Sequence, residues 1–302
     1  MSGALDAGSA RACPLCGSRA EAHVLAARFD ASRLGALSFA SRKPPELMHW
    51  RLVTCASCGL VYANPGPPAD ALVREYRDAA FDAAGESRFA ARTYEEVAAR
   101  LLPSLPDRAG ALDIGAGDGA FLERLLELGF SDVLGLEPSH AARRGAPAQV
   151  QALIREESFE PGAFGEASFS LVTCLQTIEH VPEPLALCRE ARRLLKPGGA
   201  LLLVCHDRRA WSARLLGRRS PIYDVEHLQL FDRATVHALL ERAGFERIEV
   251  HRLVNRYPLR YWLRLARVSD RAVRRLGPLG SVAVTVPVGN LWAAGYRPAG
   301  SV

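Results

Sequence analysis

Three glycines at alternate positions, between residues 111 and 122, constrain this chain more than any other feature. The apolar run at 111–114 predicts a short buried strand, and the apolar periodicity from Ala120 onward predicts a helix. Gly115, Gly117 and Gly119 predict a tight turn between them. Because this turn carries no side-chain bulk, a ligand can lie against its backbone and against the N–H groups that begin the helix. The stretch is therefore predicted to be a nucleotide-type binding loop.

The spacing of these glycines discriminates between cofactors. The dinucleotide fingerprint is Gly-x-Gly-x-x-Gly, whereas this loop is Gly-x-Gly-x-Gly, with Asp113 two positions ahead of it and Ala at position 120. The next predicted strand ends at Glu137, 18 positions after Gly119, where a carboxylate can accept hydrogen bonds from both hydroxyls of a ribose. The combination disfavours a nicotinamide oxidoreductase.

Predicted strands and helices alternate regularly after the loop. Further strand candidates lie at residues 132–136, 149–154, 169–175, 200–205 and 245–250. A helix before the last of them has Asp232 as its N-cap and Gly244 after its end. Strands separated by helices pair in parallel, because the crossover helix returns the chain to the same end of the sheet. The predicted fold class is α/β, with a doubly wound, mostly parallel sheet that residues 286–296 close as an antiparallel edge strand.

Four of the seven cysteines occur in two copies of the pattern Cys-x-x-Cys-Gly. They are Cys13, Cys16, Cys55 and Cys58. The two-residue gap lets both thiolates of a pair face one metal ion, and the following glycine relieves the tight turn. Two pairs supply a closed tetrahedral set of sulfur ligands, so we predict structural zinc in a small N-terminal zinc-ribbon-like module. The alternatives are free buried cysteines, or a redox pair, which is disfavoured because neither pair lies at a strand-to-helix junction.

A rigid turn at residues 64–68 marks the first predicted domain boundary. We divide the chain into the zinc-ribbon-like module at 1–66, a helical lid or linker at 67–105, a cofactor-binding core at 106–250, and a basic helical extension with the closing strand at 251–302. Tyr76, Phe81 and Tyr94 in the helical segment are candidates for substrate contact. We favour core packing for them, because aromatic residues on an amphipathic helix more often face the core.

Arginines recur at three- and four-residue steps between residues 252 and 275, which predicts a helix with an arginine stripe along it. The stripe comprises Arg252, Arg256, Arg260, Arg264, Arg267, Arg271 and Arg274. A solvated helix face is the favoured interpretation. The sharper alternative is a contact for an acidic partner, a phosphate-bearing substrate or an anionic membrane surface.

Composition limits the class of protein. With 49% hydrophobic and 24% charged residues the chain is typical of a globular protein, and its 302 residues predict one large domain with a small module, or two domains. No apolar run approaches the roughly 18 to 20 residues that span a bilayer, and the first residues lack the order of a signal peptide, so we expect a cytoplasmic protein. The net charge of +5 is spread along the chain, which disfavours nucleic acid as a partner.

The cofactor motif carries a resemblance to a known family. Asp113, Gly115, Gly117, Gly119 and Glu137 match class I S-adenosylmethionine-dependent methyltransferases, which the chain resembles over residues 70–250. The resemblance implies a Rossmann-like, seven-stranded sheet with an antiparallel seventh strand. It also implies that the glycine loop lies under the methionine and ribose of S-adenosylmethionine and that Glu137 holds the ribose.

Other segments extend the resemblance. Residues 175–181 are similar to the family's segment after the fourth strand, which places Leu175 at the cofactor, and residues 194–199 are similar to the turn before the fifth strand. Glu156 and Glu157 lie near the position of the adenine contact. The double cysteine pair resembles the zinc-binding module fused ahead of methyltransferases that act on sugars and secondary metabolites.

Methyl transfer from a sulfonium is an in-line displacement, so the protein contributes alignment and, for a weakly acidic nucleophile, a general base. His180 is the first candidate for that base, because it follows Glu179 at the cofactor end of the sheet and imidazole titrates near neutral pH. Glu179 and His227 complete the predicted catalytic set, and His206 and Glu226 point at the same rim. A purely structural role for His180 is the alternative.

Three functions stay open at this point. The first is a methyltransferase for a small-molecule acceptor, such as a carbohydrate, a nucleotide-sugar or a natural product. The second is a methyltransferase for RNA or protein, although the Asn-Pro-Pro-Tyr-type tetrapeptide of amino-directed enzymes does not follow the fourth strand. The third is a non-catalytic cofactor-binding module, which the intact loop and the rim histidines disfavour.

Overall fold

The computed structural model describes residues 8–40, 45–81, 84–266 and 268–300. Its strands are β1 Glu21–Leu25, β2 Leu52–Cys55, β3 Val61–Ala63, β4 Ala111–Ile114, β5 Val133–Leu136, β6 Ile154–Arg155, β7 Phe169–Leu175, β8 Leu195–His206, β9 Gln229–Leu230, β10 Glu246–Pro258 and β11 Ala283–Tyr296. Its α-helices are α1 Ala69–Asp78, α2 Ala84–Leu101, α3 Ala120–Glu127, α4 His140–Gly145, α5 Ala148–Gln151, α6 Pro184–Leu194, α7 Trp211–Leu216, α8 Arg233–Arg242, α9 Leu259–Leu265 and α10 Asp270–Arg274.

Within the described residues, seven strands form the central sheet in the order β6-β5-β4-β7-β8-β11-β10. The five strands from β6 to β8 are parallel, whereas β11 is antiparallel to both of its neighbours. Every residue of β7 is buried, as expected for a strand covered by helices on both faces. The predicted α/β, mostly parallel, seven-stranded class is confirmed. The carboxyl ends of the parallel strands meet at one edge, where such sheets bind ligands.

Two strand predictions are wrong in detail. Residues 149–151 belong to α5 rather than to a strand, because Pro147 caps a helical turn that buries Val150, and β6 is only two residues long. The closing strand β11 lies inside the sheet between β8 and β10, so β10 is the edge. Residues 291–294 are buried on both faces of β11, which is the pattern of an interior strand.

The prediction of a single helix with an arginine stripe is also wrong. Arg252 and Arg256 lie on β10, which continues to Pro258 and pairs with β11, while later arginines are divided between α9 and α10. Arg267 lies outside the described residues. Pro258 begins α9 as its N-cap, so the chain changes from strand to helix there. The arginines therefore do not share one helix face.

A smaller sheet in the described chain joins the N-terminal module to the core. Its order is β1-β2-β3-β9, all antiparallel, and its last strand comes from the segment after β8. The Trp50 indole N–H donates to the Val225 carbonyl at 2.7 Å, and the Arg11 guanidinium donates to the Pro182 carbonyl at 2.9 Å. The module and the core therefore fold against one another.

The helices close the two faces of the central sheet. Asp232 caps α8 by accepting a hydrogen bond from the Thr235 N–H at 3.0 Å, and Gly244 follows its end with φ +87°, as the sequence predicts. Of the helices in the described part of the chain, none combines the length and the apolar character needed to cross a bilayer.

Candidate active site

The glycine loop connects β4 to α3 at the carboxyl edge of the sheet. Gly115 and Gly117 have φ angles of +80° and +57°, which residues with a Cβ rarely adopt. A Cβ on Gly115 would collide with the Thr177 side chain, whereas one on Gly117 would meet no atom within 4 Å. Both glycines line a cavity of about 1080 Å³, so the open side of the loop faces that cavity.

Gly119 has a different surrounding from the other two glycines. Its φ is +71°, it caps the start of α3, and a Cβ there would collide with the Val150 side chain. Gly119 does not occur among the described residues that line the cavity. The structure thus brings two of the three predicted cofactor glycines to the cavity, and the third permits close packing behind the loop.

Glu137 follows β5 and lines the same cavity. Its carboxylate accepts hydrogen bonds from the Gly117 N–H and the Ser139 N–H, each at 2.8 Å. Burial raises the pKa of Glu137, while these two N–H donors act in the opposite direction. The acidic side chain is therefore held against the glycine loop, at the carboxyl ends of two neighbouring strands.

Two acidic side chains accompany the loop. Asp113 is buried, lines the cavity, and accepts a hydrogen bond from the Thr173 hydroxyl at 2.6 Å. Asp118, which sequence reasoning missed, accepts one from the Ser87 hydroxyl at 2.6 Å and so connects α2 to the loop. Its position between two motif glycines was the signal in the sequence that could have identified Asp118.

The end of β7 forms the neighbouring wall. Leu175 and Gln176 both line the cavity. Gln176 adopts φ +56°, an unusual conformation for a residue with a Cβ, and its buried Nε2 has no hydrogen-bond partner among the described residues. An unpartnered buried amide on a cavity wall is a group that a bound ligand can satisfy. The sequence predicts Leu175, but not Gln176, at the cofactor.

Three histidines stand side by side on the cavity wall. The rings of His180 and His227 have centroids 5.1 Å apart, and those of His206 and His227 are 5.0 Å apart. The Nδ1 atom of His180 lies 2.9 Å from the Tyr76 hydroxyl and 3.8 Å from a carboxylate oxygen of Glu226. These five residues all line the cavity, although they come from α1, β8 and two loops.

Glu179 lies behind this wall. It is 2% exposed, does not occur among the described lining residues, and accepts a hydrogen bond from the His206 backbone N–H at 3.2 Å. Burial raises the pKa of Glu179 to about 7. Of the predicted catalytic set, His180 and His227 reach the cavity, while Glu179 supports the wall from the protein side.

Helical and N-terminal segments complete the cavity. Tyr76 of α1 and Tyr94 of α2 line it, together with Phe81 between these helices. Tyr94 also packs in the core, edge to face on Phe121, so for this residue core packing and a place on the cavity wall occur together. Glu157 lines the cavity, whereas Glu156 pairs with His140 and is not among the described lining residues.

The four N-terminal cysteines converge on one point. The four Sγ atoms all lie within 4.8 Å of one another, and the Sγ atoms of Cys13 and Cys58, like those of Cys16 and Cys55, are 3.5 Å apart. Zinc–sulfur bonds of about 2.3 Å in a tetrahedron place the sulfurs about 3.8 Å apart. The four cysteines are not joined in disulfides, so the donor set fits a tetrahedral metal ion.

Comparison with known proteins gives the class. A family model described as a methyltransferase domain matches residues 87–250, more than half of the chain. A ubiquinone biosynthesis O-methyltransferase from Xanthomonas axonopodis pv. citri (strain 306) is 32% identical over 193 residues, which cover 59% of this chain and 76% of the relative. The chain therefore belongs to the S-adenosylmethionine-dependent methyltransferases.

Other similarities are more limited in extent. A relative of the same name from Xanthomonas oryzae pv. oryzae (strain PXO99A) is 41% identical over 114 residues, 35% of this chain and 46% of the relative. The chain thus matches about half the length of this second relative. The crystal structure of the YcgJ protein from Bacillus subtilis is 17% identical, covers 69% of this chain and 100% of that chain, and has a TM-score of 0.50, which shows the fold alone.

The two loop glycines with unlike surroundings allow a matched test. Gly119→Ala and Gly117→Ala both place a Cβ at positive φ, but only the first collides with Val150. Gly119→Ala is expected to lower the free energy of unfolding by about 1–3 kcal/mol more than Gly117→Ala does, which urea denaturation measures. Equal losses in the two variants would contradict the packing role of Gly119.

Proposed function

We propose that this protein transfers a methyl group from S-adenosylmethionine to a hydroxyl of a small-molecule acceptor. The observation that carries the proposal is that one cavity joins the glycine loop and Glu137 to the wall of histidines. The first group is suited to a nucleoside-containing cofactor, and the second is suited to moving a proton. The two together suit a reaction in which an alkylating cofactor meets a weakly acidic nucleophile.

The residues at the loop fit the cofactor. Glu137 would accept hydrogen bonds from the ribose, and Gly115 and Gly117 leave the backbone open to the ligand. The unpartnered amide of Gln176 lies on the same wall and offers a donor. When bound, S-adenosylmethionine supplies an activated methyl group with a good leaving group. The protein itself then has to align the acceptor and receive its proton.

The size of the cavity supports a small acceptor. A pocket for one drug-sized ligand occupies roughly 300–1,000 Å³, so about 1080 Å³ has room for the cofactor and a second molecule. Phe39, Leu72 and Trp262 line it from three different segments, which favours an acceptor with an apolar part, such as a natural product, over a bare carbohydrate or a nucleotide-sugar. The matched relatives are named O-methyltransferases, which supports oxygen as the acceptor atom.

His180 is placed to act as the general base. When the Tyr76 hydroxyl donates to the Glu226 carbonyl, 3.4 Å away, its oxygen accepts a hydrogen bond from Nδ1–H of His180 at 2.9 Å. Burial keeps the pKa of Tyr76 well above its ordinary value, so the phenol retains its proton. With Nδ1 protonated, Nε2 of His180 carries the lone pair that takes the acceptor's proton.

Replacement of this base tests the proposal. His180→Ala is expected to lower kcat by about 100- to 10,000-fold, the range typical of general base catalysis, with little change in the Kd for S-adenosylmethionine. Release of S-adenosylhomocysteine across a panel of phenolic and polyketide hydroxyl acceptors measures turnover. The exposed His23 provides the matched control, since it does not occur among the described residues that line the cavity. Unchanged turnover in His180→Ala would eliminate His180 as the base.

We also propose that the four clustered cysteines hold a structural zinc ion. The sulfur distances fit such an ion, and a closed set of four thiolates leaves no position open for catalysis. Because Cys13 and Cys55 share a hydrophobic cluster with Phe231 of the core, the ion would stabilise the wall of the cavity as well as the module.

Metal analysis after dialysis against a weak chelator tests the zinc proposal. The wild-type chain is expected to retain close to one zinc ion, and Cys13→Ser is expected to lose it and to unfold at a lower temperature. Cys188→Ser is the matched control, since Cys188 is buried in the core outside the cluster and should keep the zinc. Full zinc retention by Cys13→Ser would contradict the assignment.

A further inference from the structure

A second group of potential metal ligands lies at the wall of the active-site cavity. It consists of Glu179 after β7, His206 at the end of β8, and His227 in the loop before β9. One ligand atom of each lies within 4.8 Å of the other two. Parallel strands bring the first two residues together at the carboxyl edge, and the loop that leads into the smaller sheet adds the third.

The hydrogen bonds of His206 fix its tautomer. Its Nδ1 lies 2.8 Å from the Asn290 side-chain oxygen, while the Asn290 amide donates to Asn255 at 3.0 Å. Nδ1 of His206 is therefore the donor, and Nε2 carries the lone pair. A neutral imidazole held by its other nitrogen is the form that ligates metals.

His227 is oriented in the same way. Its Nδ1 lies 2.8 Å from the Ile222 carbonyl, which only accepts hydrogen bonds, so Nδ1 carries the proton. Nε2 consequently carries the lone pair. The side chain of His227 is 3% exposed, and the centroid of its ring is 5.0 Å from that of His206. Two buried imidazoles with fixed tautomers thus stand next to each other.

Glu179 supplies the third ligand. Its Oε1 accepts the hydrogen bond from the His206 backbone N–H, but its Oε2 is buried without a hydrogen-bond partner among the described residues. A buried carboxylate oxygen without a donor is costly, and a cation beside it removes that cost. Two imidazole lone pairs and one carboxylate oxygen are all suited to ligate a positive ion.

We infer that Glu179, His206 and His227 form a binding site for a divalent first-row transition-metal ion. Two imidazoles and one carboxylate are a known ligand set for such ions, with coordination positions left open. A second set, His180, Glu226 and His227, also has ligand atoms within 4.8 Å. We favour the first set, because Glu179 is 2% exposed with an unpartnered carboxylate oxygen, whereas the Glu226 carboxylate is closer to solvent, at 14% exposure.

The position of the site suggests a use for the ion. His206 and His227 line the cavity, so the open coordination positions would face the acceptor. An acceptor hydroxyl bound there would lose its proton more readily, because the ion stabilises the oxyanion. This role rests on the proposed function, whereas the binding of the ion does not.

Cobalt(II) provides a probe with a spectroscopic signature. Titration of Co²⁺ into the full chain, with zinc already on its cysteines, is expected to show one added ion per chain by calorimetry and weak visible absorption without a thiolate charge-transfer band. Glu179→Gln is expected to weaken this binding by more than about 100-fold, since loss of a residue that merely orients a ligand already costs about 10- to 100-fold. His206→Asn serves as a second variant if Glu179→Gln does not fold.

Glu226→Gln is the matched control, because it neutralises the other carboxylate near His227 and should weaken cobalt binding less than Glu179→Gln does. Three results would overturn the assignment: no cobalt beyond the zinc, cobalt only with thiolate absorption, or a greater loss in Glu226→Gln than in Glu179→Gln. Binding of S-adenosylmethionine, measured on the same samples, separates failure of this site from failure of the proposed function.

Discussion

The cofactor side of the site depends on the hydrogen bonds that the Glu137 carboxylate accepts. The carboxylate accepts hydrogen bonds from the N–H groups of Gly117 and Ser139, so it joins the loop after β4 to the loop after β5. Both strands end at the same edge of the sheet because they are parallel neighbours. Burial of the carboxylate is tolerated because these N–H donors satisfy it, and the same geometry presents an acidic side chain to the cavity.

The acceptor side depends on contacts between the N-terminal module and the core. The pairing of β3 with β9 holds the loop that carries Glu226 and His227. The Trp50 indole bonds to Val225 just ahead of these residues, so folding of the module positions the wall of histidines. A zinc ion on the cysteines would therefore act on the acceptor site through packing rather than through its own chemistry.

Local patterns in the sequence predicted most of the cofactor side, but long-range pairing determined the rest. The glycine spacing and Glu137 lie within one strand-turn-helix-strand unit, so local sequence predicts them. The ends of the predicted strands indicated that His180 and His206 would lie at the same edge of the sheet. The prediction of one helix with an arginine stripe was wrong because Arg252 and Arg256, four positions apart, lie on the same face of a strand as well as of a helix. The pairing of β9 with β3, and the burial of Glu179 behind the wall, depend on residues far apart in the chain.

Direct measurement of cofactor binding tests the central claim, that the loop and Glu137 form an S-adenosylmethionine site. Calorimetry is expected to show one S-adenosylmethionine per chain, no binding of NADH, and an affinity roughly 10- to 100-fold weaker in Glu137→Ala, because hydrogen bonds to a charged group contribute about 1.5–3 kcal/mol. Binding of NADH without binding of S-adenosylmethionine or S-adenosylhomocysteine would contradict the account.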